Sequence, residues 1–152
     1  MKILVTVGTT AFDELTRFVD TSSFFKNHQV TIQYGPGKYI PVNHTAFSFD
    51  ENIENYYNLS DIVITHGGAG SLYKLLDLQI PVCAVPNLER IDDHQLDICK
   101  ILSKRGHILY AEKPSSLCTC IQQLINNNTK LIPFRKEKFF CATEIANFLL
   151  NP

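Results

Sequence analysis

The chain has 152 residues, one domain's worth and long enough to bury a core. It is 45% hydrophobic and 19% charged, with 14 Lys+Arg against 15 Asp+Glu and a formal net charge of -1. This composition excludes a disordered or fibrous chain and provides no overall basic field for a nucleic-acid backbone, so no nucleic-acid partner is expected.

The first element is a nearly continuous apolar strand, Ile3 to Val7, ending at Gly8. Such a run suits a parallel strand buried on both faces. Thr10 with Asp13 three residues later forms a capping-box pattern, and Phe12, Leu15 and Val19 continue as a helical stripe. Gln29 to Tyr34 reads as a second strand before the Gly35-Pro36-Gly37 turn, and Thr45 to Phe49 as a short third. Ile53, Tyr56 and Tyr57 suit a short helix ahead of a fourth strand, Asp61 to Thr65. A helix carrying Leu72, Leu75 and Leu76 follows, then a fifth strand, Val82 to Val85. The next helix starts at about Asp93 with Ile98, Ile101 and Leu102 inward and Gly106 as its stop. Ile108 to Tyr110 makes a sixth strand. Leu117, Cys118, Ile121, Leu124 and Ile125 mark another helix, and Cys141, Ile145, Phe148 and Leu149 a last one.

This alternation predicts an α/β fold, a Rossmann-like parallel sheet flanked by helices. Residues 1–152 are expected to form a single domain with no linker or repeat. The five cysteines are odd in number and lack the spacing of a zinc site, so they are read as reduced core thiols with no metal role. The N-terminal apolar run is too short for a signal peptide or a bilayer span, so any membrane role is expected to be peripheral.

In open parallel sheets ligands bind beyond the carboxyl ends of the strands, so the loops there hold the informative residues. The first loop, Gly8-Thr9-Thr10-Ala11-Phe12-Asp13, is either a capped tight turn or a phosphate-binding loop, and it is neither GxGxxG nor a P-loop. A nicotinamide-dependent Rossmann enzyme is therefore disfavoured. The second, His66-Gly67-Gly68-Ala69-Gly70-Ser71, has three glycines in four positions before a helix start. That leaves almost no side chain between a ligand and the backbone amides, as pyrophosphate binding requires; a flexible connector is the alternative. The third ends in Asp92-Asp93-His94-Gln95. Its acidic residues suit helix caps, while the His-Gln pair can bond several hydroxyls of a sugar.

Together, Val5-Thr6-Val7-Gly8-Thr9-Thr10-x-Phe12-Asp13, Thr65 to Ser71 and Asp93-His94-Gln95-Leu96 resemble the donor-binding half of family 28 glycosyltransferases. The likeness is greatest to split members in which that half is a separate small protein. It implies the C-terminal half of a GT-B architecture and an inverting, metal-independent hexosyl transfer from a UDP-sugar, which is a substrate and not a cofactor. It places Gly8, Thr9 and Thr10 near the diphosphate or acceptor cleft, His66, Gly67, Gly68, Ala69, Gly70 and Ser71 along the diphosphate, and Asp93, His94 and Gln95 toward the donor sugar. His94 and Asp13 are the catalytic candidates; a helix cap by itself already explains Asp13, and a base from a partner is expected.

One position departs from the family pattern, since Lys74 stands where a ribose-binding glutamate is usual. Lysine donates and cannot accept, so Lys74 either neutralises phosphate or is a solvated helix residue. The resemblance further implies a membrane-anchored, acceptor-binding partner subunit and a lipid-pyrophosphate-linked acceptor. The expected place is cytoplasmic, at the inner membrane face through that partner, in capsule or exopolysaccharide synthesis. A non-catalytic UDP-sugar-binding regulatory subunit is the alternative.

Overall fold

The structure, a computed structural model, describes residues 1–88, 94–126 and 128–135. Six strands form one wholly parallel sheet: β1 (Lys2–Thr6), β2 (Gln29–Gln33), β3 (Thr45–Phe47), β4 (Ile62–Thr65), β5 (Val82–Ala84) and β6 (Leu109–Tyr110). Their spatial order is β3-β2-β1-β4-β5-β6, with β1 paired in register Ile3 to Val30 on one side and Ile3 to Ile62 on the other. The helices are α1 (Asp13–Thr21), α2 (Ile53–Leu59), α3 (Ala69–Asp77), α4 (His94–Lys104) and α5 (Leu117–Ile125).

Strand alternation divides the core into two layers. Ile3, Val5, Ile62 and Ile64 pack with Leu15 and Val19 of α1 and Leu117 and Ile121 of α5. Leu4, Val63, Val82 and Ala84 face the opposite way, against Tyr57 of α2, Leu72 and Leu75 of α3 and Cys99 and Leu102 of α4. The sheet is thus covered on both faces, which is why its strands read as unbroken apolar runs.

Two local expectations are corrected. No Thr10–Asp13 capping box forms: Phe12 is the N-cap residue of α1 and no side chain caps that end. Ile101 is not inward but 52% exposed. The face of α4 that meets the sheet runs through Cys99 and Leu102, and at 100° per residue Ile101 falls outside it. The stop at Gly106 stands, with φ +76, His107 N–H donating to Leu102 O at 3.0 Å and Gly106 N–H to Ser103 O at 2.9 Å, the paired bonds of a Schellman end.

No helix joins β2 to β3. The connecting loop is instead pinned by two aspartates of α1. Asp13 accepts from the Lys38 and Tyr39 amides at 3.1 and 3.2 Å. Asp20, fully buried, accepts from Tyr39 Oη at 2.6 Å, Val42 N at 3.1 Å, and Asn43 N and Nδ2 at 2.9 and 3.1 Å. Four cysteines are free thiols, and Cys141 lies outside the described residues, as do the other residues of the expected last helix. Burial pushes the Cys99 thiol up to about 12. Cys83 and Cys120 share a hydrogen bond that pushes Cys83 up and draws Cys120 down to about 7.

Candidate functional site

The strand order reverses between β1 and β4: one run of neighbours leads away as β2 and β3, the other as β5 and β6. The chain leaves β1 for α1 on one face of the sheet and leaves β4 for α3 on the other. The two loops therefore part, opening a crevice at the carboxyl edge, the switch point at which open α/β sheets bind ligands. The Gly8 and Gly68 loops meet at this point.

The first loop is set by a residue from the neighbouring strand. Gln33, buried at the end of β2, accepts from Thr6 Oγ1 at 2.6 Å and Gly8 N at 3.0 Å through Oε1. Through Nε2 it donates to Gly8 O at 2.8 Å and Ser48 O at 3.0 Å. One amide thereby orients the loops after β1 and β3. Gly8 takes φ +60, a conformation that favours glycine, and a Cβ there would lie 3.1 Å from His66 Cε1. Asn87, also buried, donates from Nδ2 to Ala11 O at 2.9 Å and ties the loop after β5 to the same turn. Thr9 is exposed on this loop and Thr10 half-buried, its amide donating to Val7 O at 3.2 Å.

In the second loop the imidazole of His66 is only 6% exposed and packs between Gly8 and Gly68, so it spaces the two loops from beneath. Gly67, at φ +83, lets the backbone pass over Cys99, whose Sγ would stand 2.7 Å from an added Cβ. The first hydrogen bond of α3 runs from Leu72 N to Gly68 O, and no side chain caps the helix. The amides of Ala69, Gly70 and Ser71 accordingly have no partner within the helix, and they carry the positive end of its dipole. Ala69 and Gly70 are exposed, and a Cβ at Gly70 would meet nothing within 4 Å. The Ser71 and Thr6 hydroxyls lie near that of buried Tyr57 and act to lower its pKa. Burial is the chief cause raising the Tyr57 pKa, so the phenol stays neutral.

The third loop is described only in part, since Asp93 lies outside the described residues. His94 is exposed at the start of α4 and Gln95 half-buried beside it. The Gln95 main chain passes close to Gly67, which brings the second and third loops together. The side-chain oxygen of Gln95 is buried and has no hydrogen-bond partner among the described residues. A buried acceptor left unpaired costs stability unless a ligand supplies the donor.

Two candidates have other partners in the structure. Lys74 places its ammonium 2.8 Å from Glu54 Oε1 across the α2–α3 groove. Both oxygens of Asp13 accept backbone amides, and it serves as a loop anchor, which accounts for its presence without a role as base. Among the described residues no cluster of His, Cys, Asp and Glu is placed to hold a metal ion, and no helix is long and apolar enough to cross a membrane. The arrangement offers uncapped amides for an anion and an unpaired acceptor for a hydroxyl, side by side.

Sequence reading passed over Gln33, Asn87, Tyr57 and Glu54. A signal existed for Gln33, because a polar residue closing the run Val30-Thr31-Ile32 in a doubly covered strand must find buried partners. Nothing in the sequence showed that Tyr57 and Glu54 would face α3.

A model of the glycosyltransferase family 28 C-terminal domain matches residues 2–147. Among curated relatives, the UDP-N-acetylglucosamine transferase subunit ALG13 of Homo sapiens is 31% identical over 131 residues, covering 78% of this chain and 11% of that protein. Its counterpart in Yarrowia lipolytica is 27% identical over 133 residues, covering 77% of this chain and 68% of that one. The chain thus spans about a tenth of the human relative. None of these names refers to capsule or exopolysaccharide synthesis, so they lend that expectation no support. Among solved structures, MurG of Acinetobacter baumannii superposes with a TM-score of 0.62 at 20% identity, over 84% of this chain and 42% of that one. The solution structure of ALG13 gives 0.63 at 18% identity over 97% and 94%. The fold is that of the C-terminal half of GT-B glycosyltransferases, as the family resemblance implies.

Proposed function

The chain belongs to glycosyltransferase family 28, as a C-terminal domain of that family, and from this premise we propose that it is the donor-binding part of a UDP-N-acetylglucosamine transferase that extends a lipid-linked sugar. The relatives' names support the donor and the word subunit, and a further relative, named as a transferase to a pyrophosphoryl-undecaprenol acceptor, supports a lipid-linked acceptor. The observation that carries the reading is the uncapped start of α3 at the switch point, next to the Gln33-held Gly8 loop.

The chemistry follows from that geometry. When the bond from the sugar to UDP breaks, negative charge develops on the departing diphosphate. The amides of Ala69, Gly70 and Ser71, already oriented and needing no reorganisation, stabilise that charge without a cation. Gln95, with His94 beside it, holds the hydroxyls of the transferred sugar. The acceptor, its deprotonating base and the membrane attachment belong to a membrane-anchored partner, and inversion results from attack on the sugar face opposite UDP.

Calorimetric titration tests this directly. The chain is expected to bind UDP and UDP-N-acetylglucosamine without added metal and to ignore NAD. Binding of NAD, or no binding of either uridine nucleotide, refutes the reading.

A further inference from the structure

Helices α2 and α3 are joined by two side-chain rungs. Tyr57 meets Ser71 and Glu54 meets Lys74, each pair set three residues apart on its own helix and therefore on one face of it. Side chains lean toward the N-terminus of their helix, and both helices begin at the carboxyl edge of the sheet. The Glu54 carboxylate consequently stands at that edge, one helix away from the uncapped amides of Ala69 to Ser71.

The outer rung is an odd investment if its purpose is stability. The side chains of Lys74 and Glu54 are 46% and 56% exposed, and ion pairs so open to water contribute little to folding. What the pair does accomplish is to hold a carboxylate in place. Lys74 Nζ contacts Oε1, so Oε2 and the remaining lone pair of Oε1 stay able to accept. Two acceptor oxygens at fixed spacing match two adjacent hydroxyl donors. Lysine itself has only donors to offer, so the acceptor function in this groove falls to Glu54.

Direction settles which diol is met. The unpaired oxygen of Gln95 lies on the α4 side of the Gly67 loop, and Glu54 lies on the α2 side of α3. A nucleotide-sugar with its diphosphate on the α3 amides and its transferred sugar toward Gln95 sends its nucleoside the other way, toward α2. We propose that Glu54, positioned by Lys74, accepts hydrogen bonds from the 2′- and 3′-hydroxyls of the nucleotide's ribose and so selects ribonucleotide donors. This assignment rests on the donor-binding reading above.

The test is calorimetric titration of the full chain and of Glu54→Gln and Lys74→Met with UDP and with 2′-deoxy-UDP, thermal melting being run in parallel to verify folding. The wild type is expected to prefer UDP about tenfold, the scale of one hydrogen bond to a charged group. Glu54→Gln should lose most of that preference by weakening UDP strongly and 2′-deoxy-UDP, which keeps its 3′-hydroxyl, by less, and Lys74→Met should lose part of it. Undiminished preference in a folded Glu54→Gln, or no preference in the wild type, overturns the assignment alone. Failure of the wild type to bind either nucleotide overturns the donor reading and this assignment with it.

Discussion

Gln33 and Gly8 exchange both of their polar groups: Gly8 N–H donates to Gln33 Oε1 at 3.0 Å and Gln33 Nε2 donates back to Gly8 O at 2.8 Å. The backbone turn at Gly8 is thereby fixed by one buried side chain from the adjacent strand. The same amide reaches Thr6 and Ser48, so the carboxyl ends of β1, β2 and β3 are tied together.

Replacing Gln33 by Leu therefore leaves Gly8 O without its donor and the Thr6 hydroxyl without its acceptor, while Gly8 N keeps Thr6 Oγ1 at 3.3 Å and Ser48 O keeps the Gly35 amide at 3.1 Å. The expected loss is about 2 kcal/mol, on the scale of one or two buried groups left unsatisfied, read as a lowered urea midpoint with an unchanged slope. Gln33→Glu keeps the acceptor and loses both donors, so it should fall between. A wild-type midpoint in Gln33→Leu would show that water or a shifted loop replaces the amide.

Gly70 separates binding from folding. It lies in the first turn of α3, and a methyl group there touches nothing within 4 Å. Alanine favours the helix by up to about 1 kcal/mol, so Gly70→Ala should melt at or above the wild-type temperature. A diphosphate resting on that backbone has no room for the methyl. UDP affinity should fall at least about tenfold, and unchanged affinity would remove the ligand from this turn.

Gln95 makes a prediction of opposite sign for stability and binding. Its buried oxygen lacks a partner among the described residues, so Gln95→Met should stabilise the chain by about 1 kcal/mol. The same change should reduce affinity for UDP-N-acetylglucosamine toward that for UDP alone, which is unaffected. Equal losses for both ligands would move the sugar away from α4.

Asp20 sets a pH dependence. Burial by itself would raise its pKa, but the bonds from Tyr39, Val42 and Asn43 outweigh that and hold the carboxyl below its usual range. Its folded pKa being the lower one, the stability it contributes is complete above the ordinary carboxylate pKa and is lost as pH falls from about 4 through the folded value. Asp20→Asn should cost about 2 kcal/mol at pH 7 and flatten the acid limb of the unfolding curve. A variant with the wild-type acid limb would assign that limb to other carboxylates.

Local pattern carried a great deal of this protein. Apolar runs such as Ile3 to Val7 and Ile62 to Thr65 can be buried only between two helical layers, so a covered parallel sheet followed from residue order alone. Glycines crowded ahead of Leu72 and Leu75 marked the start of α3 as a place for backbone recognition, because bare amides need the absence of side chains. Element boundaries differ from the sequence pattern by a residue or two, and the phase of α4 differs at Ile101, where an exposed isoleucine reads like a buried one.

What the tertiary structure decided is which side chains serve the site and which serve the scaffold. His66 was legible as a loop residue, yet only its place beneath Gly8 and Gly68 makes it a spacer. Asp13 became an anchor for Lys38 and Tyr39, and Lys74 a holder of Glu54, through partners 25 and 20 residues away along the chain. Residue type and local spacing determine strands, turns and free helix ends, since those depend on neighbours in sequence. The partners of a polar side chain depend on which elements the sheet order sets side by side, and a parallel topology brings distant segments together at one edge.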